Sequence, residues 1–185
     1  VEQKEKKEKM TNSELKKAIR NIPDFPIPGI QFKDVTTLFQ EPKRLYAVSK
    51  NISDIYQEKG ITKVVGIESR GFIMGSIVAL NLNAGFVPMR KPGKLPAETI
   101  EETYQKEYGT DTIQIHVDAL NKDDIVLLHD DLLATGGTMA AAYRLVKKFG
   151  VEKIYINCIV ELEELEGRKA FSEEVEISSL ITFPI

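Results

Sequence analysis

Two clusters in this 185-residue chain combine groups that could do chemistry. The first is His129-Asp130-Asp131-Leu132-Leu133-Ala134-Thr135-Gly136-Gly137-Thr138. Two adjacent carboxylates close an apolar run, and a loop of small residues then leads into a helical pattern. Ala134, Thr135, Gly136, Gly137 and Thr138 leave backbone N–H groups open. At a helix start such groups lack intrahelical acceptors, so the loop suits an anion, and two threonine hydroxyls add donors. Carboxylates beside a phosphate cradle would repel the phosphate. They suit sugar hydroxyls, or a metal ion between the charges. The composite ligand is therefore a phosphorylated sugar, with its phosphate on Ala134–Thr138 and its hydroxyls on Asp130 and Asp131. A plain strand-to-helix turn would need only the Gly-Gly pair. The second cluster is Glu68-Ser69-Arg70-Gly71, where a guanidinium can fork onto anionic oxygens. Arg90, Lys91 and Lys94 then place three cations within five residues.

The elements that must hold these groups follow from periodicity. Leu15, Ala18, Ile19 and Ile22 have helical spacing after a cap at Asn12 or Ser13. Three prolines within residues 23–29 predict a stiff extended loop. Pro42 opens a second helix with Leu45, Val48, Ile52, Ile55 and Tyr56 on one stripe, ended by Gly60. Strands are expected at Lys63–Ile67, Gly85–Met89, Thr112–Val117, Ile125–His129, Lys153–Val160 and Ile177–Ile181. Helices are expected at Gly71–Leu82, Gly137–Phe149 and, briefly, Leu165–Phe171. The nearly continuous apolar run Ile125–His129 marks a strand covered on both faces. Residues 92–111 are polar and too long for a plain connection, so they predict a mobile lid or an excursion of strands. Alternating strands and helices imply an α/β fold, an open and mostly parallel twisted sheet flanked by helices. Ligands of such sheets bind outside the carboxyl ends of the strands, where both clusters fall.

The remaining composition bounds the function. The length fits a single domain over residues 10–185, preceded by a flexible charged tail at 1–9. Hydrophobic residues make up 42% and charged residues 29%, ordinary for a globular protein. A net charge of −3 argues against nucleic-acid binding, and no apolar run is long enough to span a membrane. A lone Cys158 and a charged start suit the cytoplasm. Cys158 reads as a small buried hydrophobe. The acidic run Glu161, Glu163, Glu164 and Glu166 reads as capping and solvating a short C-terminal helix. No HExxH, cysteine pair or histidine pair points to a transition metal.

The segment Val126–Thr138 resembles the phosphoribosyl-diphosphate (PRPP) motif of type I phosphoribosyltransferases. Its Leu-Leu-Ala-Thr-Gly-Gly-Thr form is similar to that of the adenine phosphoribosyltransferases. Phe25–Asp34, Glu68–Phe72, Arg90–Pro96 and Glu107–Gly109 support the narrower family, in its order and at similar separations. His129 departs from the family, which usually has an aliphatic residue there. Beside two carboxylates it could be a pH-sensitive neighbour, but a local hydrogen bond at the strand end is the favoured reading.

The resemblance implies a fold with a small hood (about 13–40) and a lid (about 92–111). It implies transfer of a 5-phosphoribosyl group from PRPP to N9 of adenine, giving AMP and pyrophosphate through an oxocarbenium-like transition state. Another purine phosphoribosyltransferase, using hypoxanthine, guanine or xanthine, and a non-catalytic PRPP-binding regulator are the alternatives. The resemblance assigns pyrophosphate to Glu68, Ser69, Arg70, Arg90, Lys91 and Lys94, with Glu68–Ser69 often a cis peptide. It assigns adenine to Ile30, Gln31, Phe32 and Leu132, with Phe32 stacking on the base. Glu107, Arg70 and Tyr108 are the implied catalytic residues, Glu107 handling a proton at N7 or N9 of adenine. Mg²⁺ is implied as a companion of PRPP rather than an ion caged by protein side chains. A homodimer is implied by analogy.

Overall fold

The computed structural model describes residues 10–25, 27–105 and 109–184. The chain opens with α1 (Asn12–Ala18) and a hairpin of β1 (Arg20–Pro23) and β2 (Gln31–Asp34). Two helices follow, α2 (Thr36–Phe39) and α3 (Pro42–Tyr56). The alternating part is β3 (Lys63–Ile67), α4 (Gly71–Asn81) and β4 (Gly85–Met89). A second antiparallel pair comes next, β5 (Thr99–Gln105) with β6 (Thr110–His116). The chain then forms β7 (Ile125–Leu133), α5 (Gly137–Lys147), β8 (Lys153–Leu162) and β9 (Ile177–Phe183).

Five strands make one parallel sheet in the order β4-β3-β7-β8-β9. The central strand β7 carries Val126, Leu127 and Leu128, all fully buried, which is why its sequence is a run rather than an alternation. One face packs on α5 through Val126, Leu128, Ala142, Leu145 and Val146. The other packs on α3 and α4 through Val64, Leu127, Ile52, Met74 and Val78. Both faces are thus covered, and the strand ends are left open to a ligand.

Several expectations need correction. The first helix stops at Ala18, because Ile19 turns extended and Arg20 pairs with Asp34. Ile22 lies on β1, opposite Phe32. The cap is Thr11, which closes a capping box with Glu14. The loop after β1 is not extended. Asp24 sits at φ 56° and accepts a 2.7 Å hydrogen bond from the Gly29 N–H, folding the segment into a turn. Residues 163–170 form two 3₁₀ turns, Glu163–Leu165 and Gly167–Ala170, rather than one short helix. The polar stretch after β4 is an excursion of strands: β5 and β6 stand apart from the parallel sheet. The tail at 1–9 lies outside the described residues.

Leu127 is fully buried between α3, α4 and the sheet. Leu127→Ala is expected to cost about 2–5 kcal/mol of stability without moving the strand ends. Urea unfolding would read the loss as a lower midpoint at unchanged slope.

Candidate active site

β7 runs four residues further than the apolar run suggests, so Asp130, Asp131 and Leu132 are strand residues and not loop. Their side chains alternate. Asp131 is almost fully buried, and Asp130 and Leu132 are half-buried. Burial, with Asp131 next to it, pushes the Asp130 carboxyl well up from the ordinary range. Burial also raises Asp131, opposed by Arg70. The Asp130 carboxylate accepts a 2.8 Å hydrogen bond from the Asp131 N–H. Arg70, at the start of α4, puts Nε 2.6 Å from Asp131 Oδ2. Gly71 is required beside it: a Cβ there would lie 2.7 Å from the His129 carbonyl oxygen.

Beyond Leu133 the chain turns into α5 through Gly136, at φ +81°. The Ala140 N–H donates back to the Gly136 carbonyl, so the N–H groups of Gly137, Thr138 and Met139 have no intrahelical acceptor. Arg70 and residues 130–139 line a single cleft of about 210 Å³. Ala134, Thr135, Gly136, Gly137 and Thr138 therefore share one cavity with the acidic pair, as a phosphorylated sugar would require.

A second group gathers at the end of β3. The Glu68–Ser69 peptide is cis. The Glu68 carboxylate accepts from Arg90 Nε at 3.2 Å and Nη2 at 3.4 Å, from Lys94 Nζ at 2.5 Å and from the Lys91 N–H at 3.0 Å. Burial would raise the Glu68 carboxyl, but these donors prevail and pull it down to about 2. Arg90 is further held by paired backbone bonds to Gln114 and lies over the Phe72 ring. Lys91 turns away to Asp111, at 3.2 Å. Ser69 is exposed and accepts from the Phe72 N–H.

The β1–β2 hairpin reaches Arg70 through Phe32. The Arg70 guanidinium lies 5.7 Å from its ring centroid, and Phe25 packs edge-on at 5.1 Å. Ile30 is exposed, and its N–H and C=O are both engaged within the hairpin turn, to Ile27 and Phe25. Gln31 is exposed, and its side-chain oxygen accepts from Asn21. Glu107 and Tyr108 lie outside the described residues. His129 is buried and hydrogen-bonds Asn157 through Nδ1 at 3.0 Å, while its Nε2 has no partner among the described residues. Burial lowers it to about 4, so it stays neutral. Cys158 is buried.

Two supports escaped the sequence reading. Glu161 does not solvate a helix. It is buried, binds Arg168 through two hydrogen bonds of 2.7 and 2.8 Å and accepts from Ser179. That pair holds the 3₁₀ turn at Gly167 directly against Ala134 and Gly136. A Cβ on Gly136 would sit 2.3 Å from the Gly167 carbonyl oxygen, and one on Gly167 would sit 2.2 Å from that of Ala134. The other support is Tyr104 on β5. It accepts a 3.0 Å hydrogen bond from Thr138 and reaches Asp111, tying the β5–β6 arm to the loop. In the sequence, only a glycine amid charged residues marked the first support.

Comparison with known proteins agrees with this geometry. Residues 34–182 match the family model described as the phosphoribosyl transferase domain. An adenine phosphoribosyltransferase of Bacteroides thetaiotaomicron is 64% identical over 173 residues, 94% of this chain and 98% of the relative. The chain belongs to the adenine phosphoribosyltransferase family. Solved structures of the family superpose closely. That of the Rhodothermus marinus adenine phosphoribosyltransferase has a TM-score of 0.88 at 50% identity, covering 93% of this chain and 98% of the other. The Giardia lamblia enzyme, complexed with 9-deazaadenine, has 0.89 at 45%, covering 94% and 98%.

Gly167→Ala is expected to cost about 1–3 kcal/mol, because backbone rather than a movable side chain blocks the methyl group. The displaced loop should also bind ribose 5-phosphate more weakly. Thermal melts and calorimetric titration would read the two effects separately.

Proposed function

We propose that the chain transfers the 5-phosphoribosyl group of PRPP to N9 of adenine, releasing pyrophosphate and forming AMP. The observation that carries this reading is the single cleft that joins Asp130 and Asp131 to the open N–H groups of residues 134–138. The phosphate of PRPP binds those N–H groups and the Thr135 and Thr138 hydroxyls. Asp130 and Asp131 accept from the ribose hydroxyls and orient C1 toward the hood. Arg70, Arg90 and Lys94 take the charge that grows on the departing pyrophosphate, next to the cis Glu68–Ser69 peptide, and Lys91 joins them by leaving Asp111. Phe32 stacks on adenine, and Leu132 packs against it from the floor. The base edge falls to backbone groups of the Ile30–Phe32 segment that the hairpin pairing leaves open. Adenine offers an N6 donor and an N1 acceptor, and hypoxanthine reverses both, so a rigid backbone pair rejects it by leaving buried groups unpaired. The 9-deazaadenine bound to the Giardia relative supports a 6-aminopurine in this place.

Glu107 and Tyr108, which fall between β5 and β6 in the sequence, are carried over from the family as the groups that move a base proton and exclude water. The donor set fits a Mg²⁺ that travels with PRPP. Asp131 is committed to Arg70, and no group of three or more metal-type side chains clusters among the described residues. Such an ion would be held by phosphate and water oxygens and would offset charge on the pyrophosphate. The described residues include no helix long and apolar enough to cross a membrane. A cytoplasmic setting, a homodimer and the lack of a nucleic-acid partner complete the reading.

Asp131→Asn is expected to lose most AMP formation, on the order of 100-fold, with an unchanged far-ultraviolet spectrum. Near-normal turnover would remove the ribose role. Glu107→Gln should lower kcat more than it raises KM for adenine, and an unchanged kcat would make Glu107 a bystander.

A further inference from the structure

Glu68 carries a charge of the wrong sign for a pyrophosphate site, yet it sits among the cations assigned to that anion. Its side chain is about 10% exposed, while Arg90, Lys91 and Lys94 are 33%, 52% and 47% exposed. The carboxylate therefore lies behind the cations, and Lys94 and Arg90 turn their charged ends inward to it. Its two oxygens accept four hydrogen bonds from three residues of the 90–94 segment. That is the arrangement in which an anionic phosphate group would be held.

Glu68 is not needed to place Arg90. The Arg90 backbone is fixed by the pair of bonds with Gln114, at 2.9 and 2.6 Å. Its guanidinium also donates to the Lys94 carbonyl and covers Phe72. Lys94 is different. Among the described residues its ammonium has one ion-pair partner, Glu68, and it must leave that partner to reach a ligand in the cleft. Arg70, on the other side of Ser69, is likewise paired with a carboxylate, Asp131.

Building on the pyrophosphate role proposed for these cations, we propose that Glu68 is a built-in competitor of pyrophosphate. It occupies Lys94 and Arg90 when the site is empty, yields them to the diphosphate of PRPP, and takes them back as pyrophosphate leaves. Binding becomes an exchange of anionic partners instead of a capture by free cations. Pyrophosphate is held more loosely than three cations alone would hold it, and its release is faster. Glu68 is thus a residue that sets product affinity through the cations and need not touch the reacting atoms.

The test is Glu68→Gln, which keeps the shape and removes the charge, with Lys94→Ala beside it. Magnesium pyrophosphate is the probe, read by calorimetric titration and by inhibition against PRPP. The proposal expects Glu68→Gln to bind pyrophosphate about tenfold more tightly, as loss of a buried like charge does. It also expects a burst of AMP followed by a slower steady rate, with KM for adenine unchanged. Weaker or unchanged pyrophosphate binding by a Glu68→Gln variant with a normal melt and normal AMP affinity would overturn it. Lys94→Ala separates the two levels. If Lys94→Ala weakens pyrophosphate binding while Glu68→Gln does not tighten it, the competitor role fails and the cation assignment stands. If neither variant changes pyrophosphate binding, the cation assignment fails and the competitor role with it.

Discussion

Asp131 emerges from the central strand of the sheet with a carboxylate that the interior cannot hold alone, and Arg70 meets it at 2.6 Å. Much of the site hangs on that pair. Arg70 stands at the start of α4, so the pair joins two neighbouring strand ends, those of β3 and β7. The same guanidinium lies against Phe32, which ties the β1–β2 hairpin to the start of α4. One cation therefore touches the floor, the wall and the roof of the site. An arginine suits this place because its flat fork can pair with a carboxylate and stack on a ring at once.

Charge balance runs through the rest of the site. Burial raises Asp130 and Asp131, and Arg70 opposes that rise at Asp131. Glu68 is held well down by Lys94, Lys91 and Arg90. Arg70, Arg90 and Lys94 are thus each paired with a carboxylate of the protein. Glycine sets the rest of the geometry. Gly136 and Gly167 let two backbones meet where a methyl group would collide, and the Glu161–Arg168 pair keeps the second of them in place.

The sheet and the turn from β7 into α5 were legible because their signals are local. A strand covered on both faces must be an apolar run, and the small residues after Asp131 have to precede a helix. The parallel strands and α4 start where periodicity puts them, and the ends of β7, β8 and β9 extend further than hydrophobicity alone could show. What was not legible depends on contacts distant in sequence. Ile22 fits a helical stripe as well as a strand, and only pairing with Phe32 decides between them. Glu161 begins an acidic run that looks solvated, and its burial is created by Arg168 and Ser179 across the fold. Tyr104 gave no signal, since its partner Thr138 is 34 residues away. The roles of Glu107 and Tyr108 come from resemblance, and their geometry lies outside the described residues.

The most direct measurement is pyrophosphate release from PRPP and Mg²⁺ with one base supplied at a time. The account predicts release with adenine and, at equal concentration, at least about 100-fold less with hypoxanthine, guanine or xanthine, because a reversed donor and acceptor edge leaves buried groups unpaired. Faster release with a 6-oxopurine than with adenine would contradict it. So would silence with every base from a protein that still binds PRPP.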